Sequence, residues 1–339
     1  MKKWWIRYVT ATGILLVLSL CCALPFLFPS DASNSTPPFD TDAPKESLLL
    51  EFTSNGDGTC YISGMGACTD ANVVVPSLSP QGDRVTEIGK RAFYACETLE
   101  SVFLPTSVAT VTASAFYGCE NLESVTFSAG LQSIGAQAFF GCSAIKRITI
   151  PTTVTHIGRA AFAGCTDLGS IIVEQGNSIY HSKHHCIIET ASKTLVVGCE
   201  NSTIPDDGSV TTIGASAFAY TLLLQEIEIP EGVTQIGLGA FMGCRALKSV
   251  TLPESLTVID RYAFAGCTSL QRMAFPEALE RINPTAFESC TSLRSVFFAI
   301  PGGWRADTHR FSEANLNSPQ AAANYLTGQF LFNNWVRDQ

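Results

Sequence analysis

The sequence predicts a repeat solenoid, mostly β with short helical or 3₁₀ turns, and three observations predict it. First, the dipeptide Ala-Phe recurs at Phe93, Phe116, Phe139, Phe162, Phe218, Phe241, Phe264 and Phe287, with neighbours 23 residues apart except for one gap of 56, which is 33 more than a period. Second, an apolar frame travels with it, V-T-x-I-G-x-x-A-F-x-G-C-x-x-L-x-x-V-x-L-P, clearest in Ile134, Gly135, Ala138, Phe139, Gly141, Cys142, Ile145, Ile148, Ile150 and Pro151. Third, the composition is low in charge (15%), which favours strands and turns over long charged helices. A fixed period of this length is the mark of stacked coils, each unable to bury its own apolar side without a neighbour.

The chain opens with Lys2, Lys3 and Arg7, and then runs uncharged from Tyr8 to Ser30. A basic start followed by an apolar stretch reads as a targeting segment over 1–30. Its length leaves two alternatives: a signal peptide cleaved near Ala23, or an uncleaved anchor through residues 8–30 with the basic end in the cytoplasm. Either one places the remainder outside the cytoplasm. Residues 31–47, rich in Ser, Pro and Asp, form a tether with too little apolar content to order itself.

Residues 48–87 read as an N-terminal hairpin and first coil, with Asn55-Gly56-Asp57-Gly58 as the turn. The repeats proper span 88–303. Within each coil, Leu99, Val102 and Leu104 or their equivalents mark a strand, and alternation puts the last two on one face. Pro105 ends that strand because it has no N–H to donate. Gly89 and its equivalents suit a corner with no room for a Cβ. The Ala-Phe-x-Gly-Cys stretch is too short for an independent helix, so a single helical or 3₁₀ turn is expected there. The phenylalanines should stack through the core. The repeated cysteines should lie beside them as buried thiols, since equivalent side chains of successive coils point the same way.

The long gap holds an insertion, about 174–208, which reads as a β-hairpin coil. Residues 304–339 read as a cap: Trp304, a short helix with Ser318 as N-cap and Pro319 at its first position, running to about Leu326, and a last strand to Trp335 and Arg337.

The repeated signature I-G-x-x-A-F-x-G-C-x-x-L-x-x-V-x-L-P resembles the BspA-like, bacterial surface-antigen kind of leucine-rich repeat. It covers roughly 84–304, and the flanking hairpin, insertion and tail resemble that family too. The resemblance implies a leucine-rich-repeat type solenoid with 23-residue coils, one β-hairpin insertion and a C-terminal cap. It also implies an extracellular role in adhesion to host or microbial surface proteins.

Binding is expected on the outward positions of the L-x-x-V-x-L strand, where the residues vary while the frame stays fixed. The candidates are Phe103, Lys146, Arg147, Glu228, Lys248, Arg272, Arg294 and Phe297. Aromatic and Arg side chains are frequent anchors at interfaces. The competing expectation is a structural cell-envelope protein whose solenoid is a spacer or assembly module.

Charge argues against nucleic acid as a partner. Basic and acidic residues cancel over 1–47, so the net −9 sits on the body, and phosphate binding needs a basic patch. No cofactor, metal or catalytic motif is read. His181, His184, His185 and Cys186 crowd together but match no standard metal spacing. Gly237-Leu238-Gly239 belongs to the repeat and lacks dinucleotide-loop spacing. Disulfides between Cys60 and Cys68, or Cys186 and Cys199, remain open alternatives in an oxidising compartment.

Overall fold

Each coil contains two strands. The computed structural model describes residues 45–47 and 49–338; the targeting segment and the tether as far as residue 44 lie outside them. The longer strand falls where the Leu-Val-Leu pattern puts it: Ser101–Phe103, Ser124–Thr126, Arg147–Ile150 and Ser170–Val173, then Glu226–Glu228, Ser249–Thr251, Arg272–Phe275 and Ser295–Phe298. Neighbours pair in parallel at the sequence period, as in Val102 with Val125 and Ile148 with Ile171.

A second row of strands was not evident from the pattern. It comprises two-residue segments before the corner position, which is Thr112 after Thr110–Val111 and glycine after Ser133–Ile134, His156–Ile157, Thr212–Ile213 and Gln235–Ile236. These short strands build the more continuous sheets, one of six strands and one of ten. Two residues are too few for alternation to reveal a strand in sequence.

The Ala-Phe segment makes the i→i+3 bonds of the expected tight turn, but its backbone is not a right-handed helix. Ala138 N–H reaches Gly135 O, Phe140 N–H reaches Gln137 O, and Cys142 N–H reaches Phe139 O, each at 3.2 Å. Gln137 is left-handed (φ 57°), as are Arg91, Ser114, Ala160, Ser216, Tyr262 and Thr285 at the same place, where glycine stands only as Gly239. The strain is held by bonds between coils, among them Phe116 N–H to Ala138 O and Phe139 N–H to Ala161 O, both 2.8 Å. The corner glycine behaves as expected: a Cβ on Gly135 would lie 2.6 Å from Ala113 N in the preceding coil.

Two ladders fill the core. Phe93, Phe116, Phe139 and Phe162 stack with centroids 4.8, 5.0 and 5.4 Å apart, and Phe218, Phe241, Phe264 and Phe287 at 5.2, 5.3 and 5.4 Å. Burying each phenylalanine contributes on the order of 1.5–3 kcal/mol. Beside them the cysteines form a ladder of their own. From Cys119 onward each ladder thiol donates to the phenylalanine carbonyl one coil back: Cys142 to Phe116 O at 3.0 Å, Cys244 to Phe218 O at 3.0 Å, Cys290 to Phe264 O at 3.1 Å. Thr221, which replaces a cysteine, bonds its own coil's Phe218 O instead. All the cysteines among the described residues are free thiols, Cys60, Cys68, Cys186 and Cys199 included.

Both ladders break at the insertion. Its strands Tyr180–Lys183, Cys186–Glu189 and Thr194–Val197 form an antiparallel sheet whose last member pairs in parallel with Thr212–Ile213. Gly198 N–H then bonds Ala217 O at 2.8 Å, the bond a ladder phenylalanine makes elsewhere. Its missing side chain leaves room for the Phe218 ring, 2.2 Å from where a Cβ would stand. The core accordingly divides into two clusters at this point.

At the N-terminal side, Glu51–Ser54 and Thr59–Gly64 form a hairpin. At the other end, Trp335–Arg337 lies between Arg281–Ile282 and Trp304–Ala306, antiparallel to both. The helix begins at Pro319 after Ser318, whose side chain makes no cap bond. It ends at Asn324 and continues as a wider π turn, Tyr325–Gln329. A helix absent from the sequence reading, Glu313–Leu316, carries the capping box, with Ser312 and Asn315 as its two members.

Candidate functional site

The long-strand ribbon presents the residues that vary between coils. Val102, Ile148, Ile171, Met273 and Val296 point into the core, while Phe103, Thr126, Thr149, Ile172, Glu228, Thr251, Ala274 and Phe297 are exposed. Phe103 (39% exposed), Ile172 (43%) and Phe297 (51%) are large apolar groups facing solvent.

The candidate residues fall into two groups separated by the insertion. Phe103, Lys146 and Arg147 lie on the first run of coils; Glu228, Lys248, Arg272, Arg294 and Phe297 lie on the second. Lys146 Nζ pairs with Glu123 at 3.1 Å, both side chains being about two-thirds exposed (66% and 61%), so solvent screening leaves the pair a small contribution. Lys248 Nζ donates to Gln225 Oε1 at 3.0 Å. Arg294 turns Nη1 to Thr291 O at 2.7 Å. Arg272 and Arg294 share a shallow hollow with Gln271, Ser292 and Ser295.

The histidine cluster is dispersed by the hairpin. His184 and His185 occupy its left-handed tip (φ 47° and 60°), His181 Nδ1 lies 2.9 Å from Thr190 Oγ1, and Cys186 is buried. Burial pushes the Cys186 thiol up to about 12. Among the described residues no group of three or more His, Cys, Asp or Glu side chains is arranged to hold a metal ion.

One feature escaped the sequence. A cleft of about 620 Å³ opens where the insertion meets the second run, lined by His184, Thr203, Ile204 and Asp206 on the insertion and by Glu226 and Glu228 on the strand. The only sequence signal for it was the 56-residue gap between Phe162 and Phe218.

The model of the BspA type leucine rich repeat region matches residues 86–208 and 211–327, more than half of the chain. The chain belongs to this family. Among solved structures, the BspA-type chain is similar to the pneumococcal vaccine antigen PcpA, at 19% identity and a TM-score of 0.50 over 76% of this chain and 81% of that one. It is also similar to a leucine rich cell surface protein of Faecalibacterium prausnitzii (22% identity, TM-score 0.44, 82% and 98% covered). A third is the leucine rich repeat protein of T. pallidum (28% identity, TM-score 0.42, 67% and 91% covered). No curated protein matches the sequence. As a BspA-type repeat, the chain has a core closed by its own ladders. No helix among the described residues is long and apolar enough to cross a membrane.

Proposed function

We propose that this BspA-type protein is exported by its N-terminal segment, stands at or outside the cell surface, and holds protein ligands on host or microbial surfaces against its long-strand face. It acts by binding, without a catalytic step. The observation that carries this reading is the separation of frame and display. The residues flanking the outward positions are apolar in every coil, buried in most of them and partly buried beside Thr126 and Thr251, while the outward positions carry Phe, Thr, Ile, Glu and Ala. A scaffold that only fills space needs the buried set; a reading surface also needs the variable one. The proposed contacts are Phe103, Lys146, Arg147, Glu228, Lys248, Arg272, Arg294 and Phe297; the side chain of Arg272, whose backbone lies in a strand pair, makes no ion pair or hydrogen bond among the described residues.

The test is a screen of the purified full chain against immobilised extracellular-matrix and plasma proteins and against whole cells. Saturable binding weakened by Arg272→Ala or Phe297→Ala supports the reading. A folded chain that binds none of them points instead to a structural spacer of the cell envelope.

A further inference from the structure

Four strand edges meet at the insertion, and three of them are closed. The His156–Ile157 edge is closed by Tyr180, whose Oη accepts from Ile157 N–H at 3.1 Å. The Ser170–Val173 edge is closed by Ser182, whose Oγ accepts from Val173 N–H at 2.9 Å. Thr212–Ile213 is closed by pairing with Thr194–Val197.

The fourth edge, Glu226–Glu228, pairs only with Ser249–Thr251 on its far side. Along a strand, successive residues turn their N–H and C=O to opposite sides. Ile229 N–H reaches Thr251 O at 2.9 Å, so residues 227 and 229 face the following coil, and Glu226 and Glu228 face the insertion. Among the described residues, the N–H and C=O of these two glutamates have no hydrogen-bond partner. Thr203 and Ile204, which stand where a preceding strand would run, line the same cleft without pairing to it. The carboxylates of Glu226, Glu228 and Asp206 line it too, with no ion pair among the described residues.

An unpaired edge of this kind is a template for one more strand. We propose that the Glu226–Glu228 edge accepts an extended segment of a partner protein, added as a β-strand in the cleft and carrying Lys or Arg at every second residue. Side chains two apart on the incoming strand share a face, so such cations stand beside Glu226 and Glu228, which are also two apart. The backbone supplies the affinity and the carboxylates select the charge. The proposal rests on reading the chain as a binding protein but uses none of the cationic or aromatic groups of the long-strand face.

The test is calorimetric titration of the full chain with an octapeptide of alternating Lys and Thr. Two controls accompany it: the same peptide N-methylated at alternate backbone nitrogens, and a Glu-Thr octapeptide. The expected result is saturable binding of the Lys-Thr peptide, weakened about tenfold or more by N-methylation because the strand bonds are lost. The double change E226Q and E228Q weakens it about tenfold, and the Glu-Thr peptide does not bind. Hydrogen exchange should show new protection at the Glu226 and Glu228 amides. Absence of binding, equal binding of the N-methylated peptide, or protection elsewhere only would overturn the proposal. The peptide controls decide the matter even if the double variant folds poorly. Failure here with matrix-protein binding through Arg272 intact leaves the long-strand reading standing; the converse result removes that reading and keeps the edge.

Discussion

The phenol of Tyr180 takes the place of a strand. Its Oη accepts from the N–H of Ile157 at 3.1 Å, ending the six-stranded sheet with a side chain where the next coil would have supplied a carbonyl. Tyr180 is itself buried, and Asn177 fixes its approach by accepting from Tyr180 N–H at 2.8 Å and donating to Pro151 O and Val154 O. Tyr180→Phe keeps the ring and leaves a buried N–H unsatisfied. The expected cost is about 1–3 kcal/mol, read as a lower midpoint in urea. An unchanged midpoint would show that water closes this edge equally well.

Gly198 is the point where the phenylalanine ladder is deliberately empty. Gly198→Val would drive a side chain into the Phe218 ring, already 2.2 Å from the position of a Cβ. Overpacking of this kind costs about 1–3 kcal/mol. The loss should fall on the second run of coils first, because Phe218 belongs to that core cluster. Hydrogen exchange that accelerates in coils 212–298 before coils 84–173 is the expected pattern.

The thiol ladder makes stability fall in alkali. Burial raises the thiols of Cys165, Cys244 and Cys290 to about 12. Their unfolded value is about 8.5. A group whose folded value is raised keeps its full contribution below the unfolded value and loses it as pH climbs through the folded one. Stability should therefore be level to about pH 8.5 and then drop by roughly 1.4 kcal/mol per pH unit for each of these three thiols. Denaturation midpoints under reducing conditions, compared with those of Cys244→Ala, measure the slope. Alkylation mapping offers a second check: Cys96 is only half-buried and should label before Cys142 or Cys267, which are fully buried.

Much of this was legible in the sequence because the repeat multiplies each signal. Phe139 alone says little; eight phenylalanines in register fix the period, the core ladder and the pairing of Val102 with Val125. The outward positions followed from alternation along Leu99, Val102 and Leu104. The short strands did not, because two residues carry no period. Nor did the open Glu226–Glu228 edge. An edge is defined by partners that are missing, and whether Thr203 and Ile204 approach it depends on how the insertion folds back, which no local pattern encodes. The insertion did announce that something interrupts the stack, through its break in the spacing.

The left-handed turn was likewise hidden, and its sign can be tested. Ala160 sits at φ 57° in the second residue after Gly158, without a side-chain hydrogen bond of its own to lose. In a right-handed helical turn, Ala160→Gly would cost about 1 kcal/mol. In the left-handed conformation the alanine bears about 1–2 kcal/mol of steric strain that glycine does not, offset by glycine's greater loss of backbone freedom of about 0.5–1 kcal/mol. Ala160→Gly should leave stability unchanged or raise it by up to about 1 kcal/mol. The same change at Ala161, which is right beside it but buried and without the positive φ, should destabilise. A thermal melt of the two variants side by side separates the two backbone geometries. If both changes lower the midpoint equally, the left-handed turn is not the conformation this coil adopts.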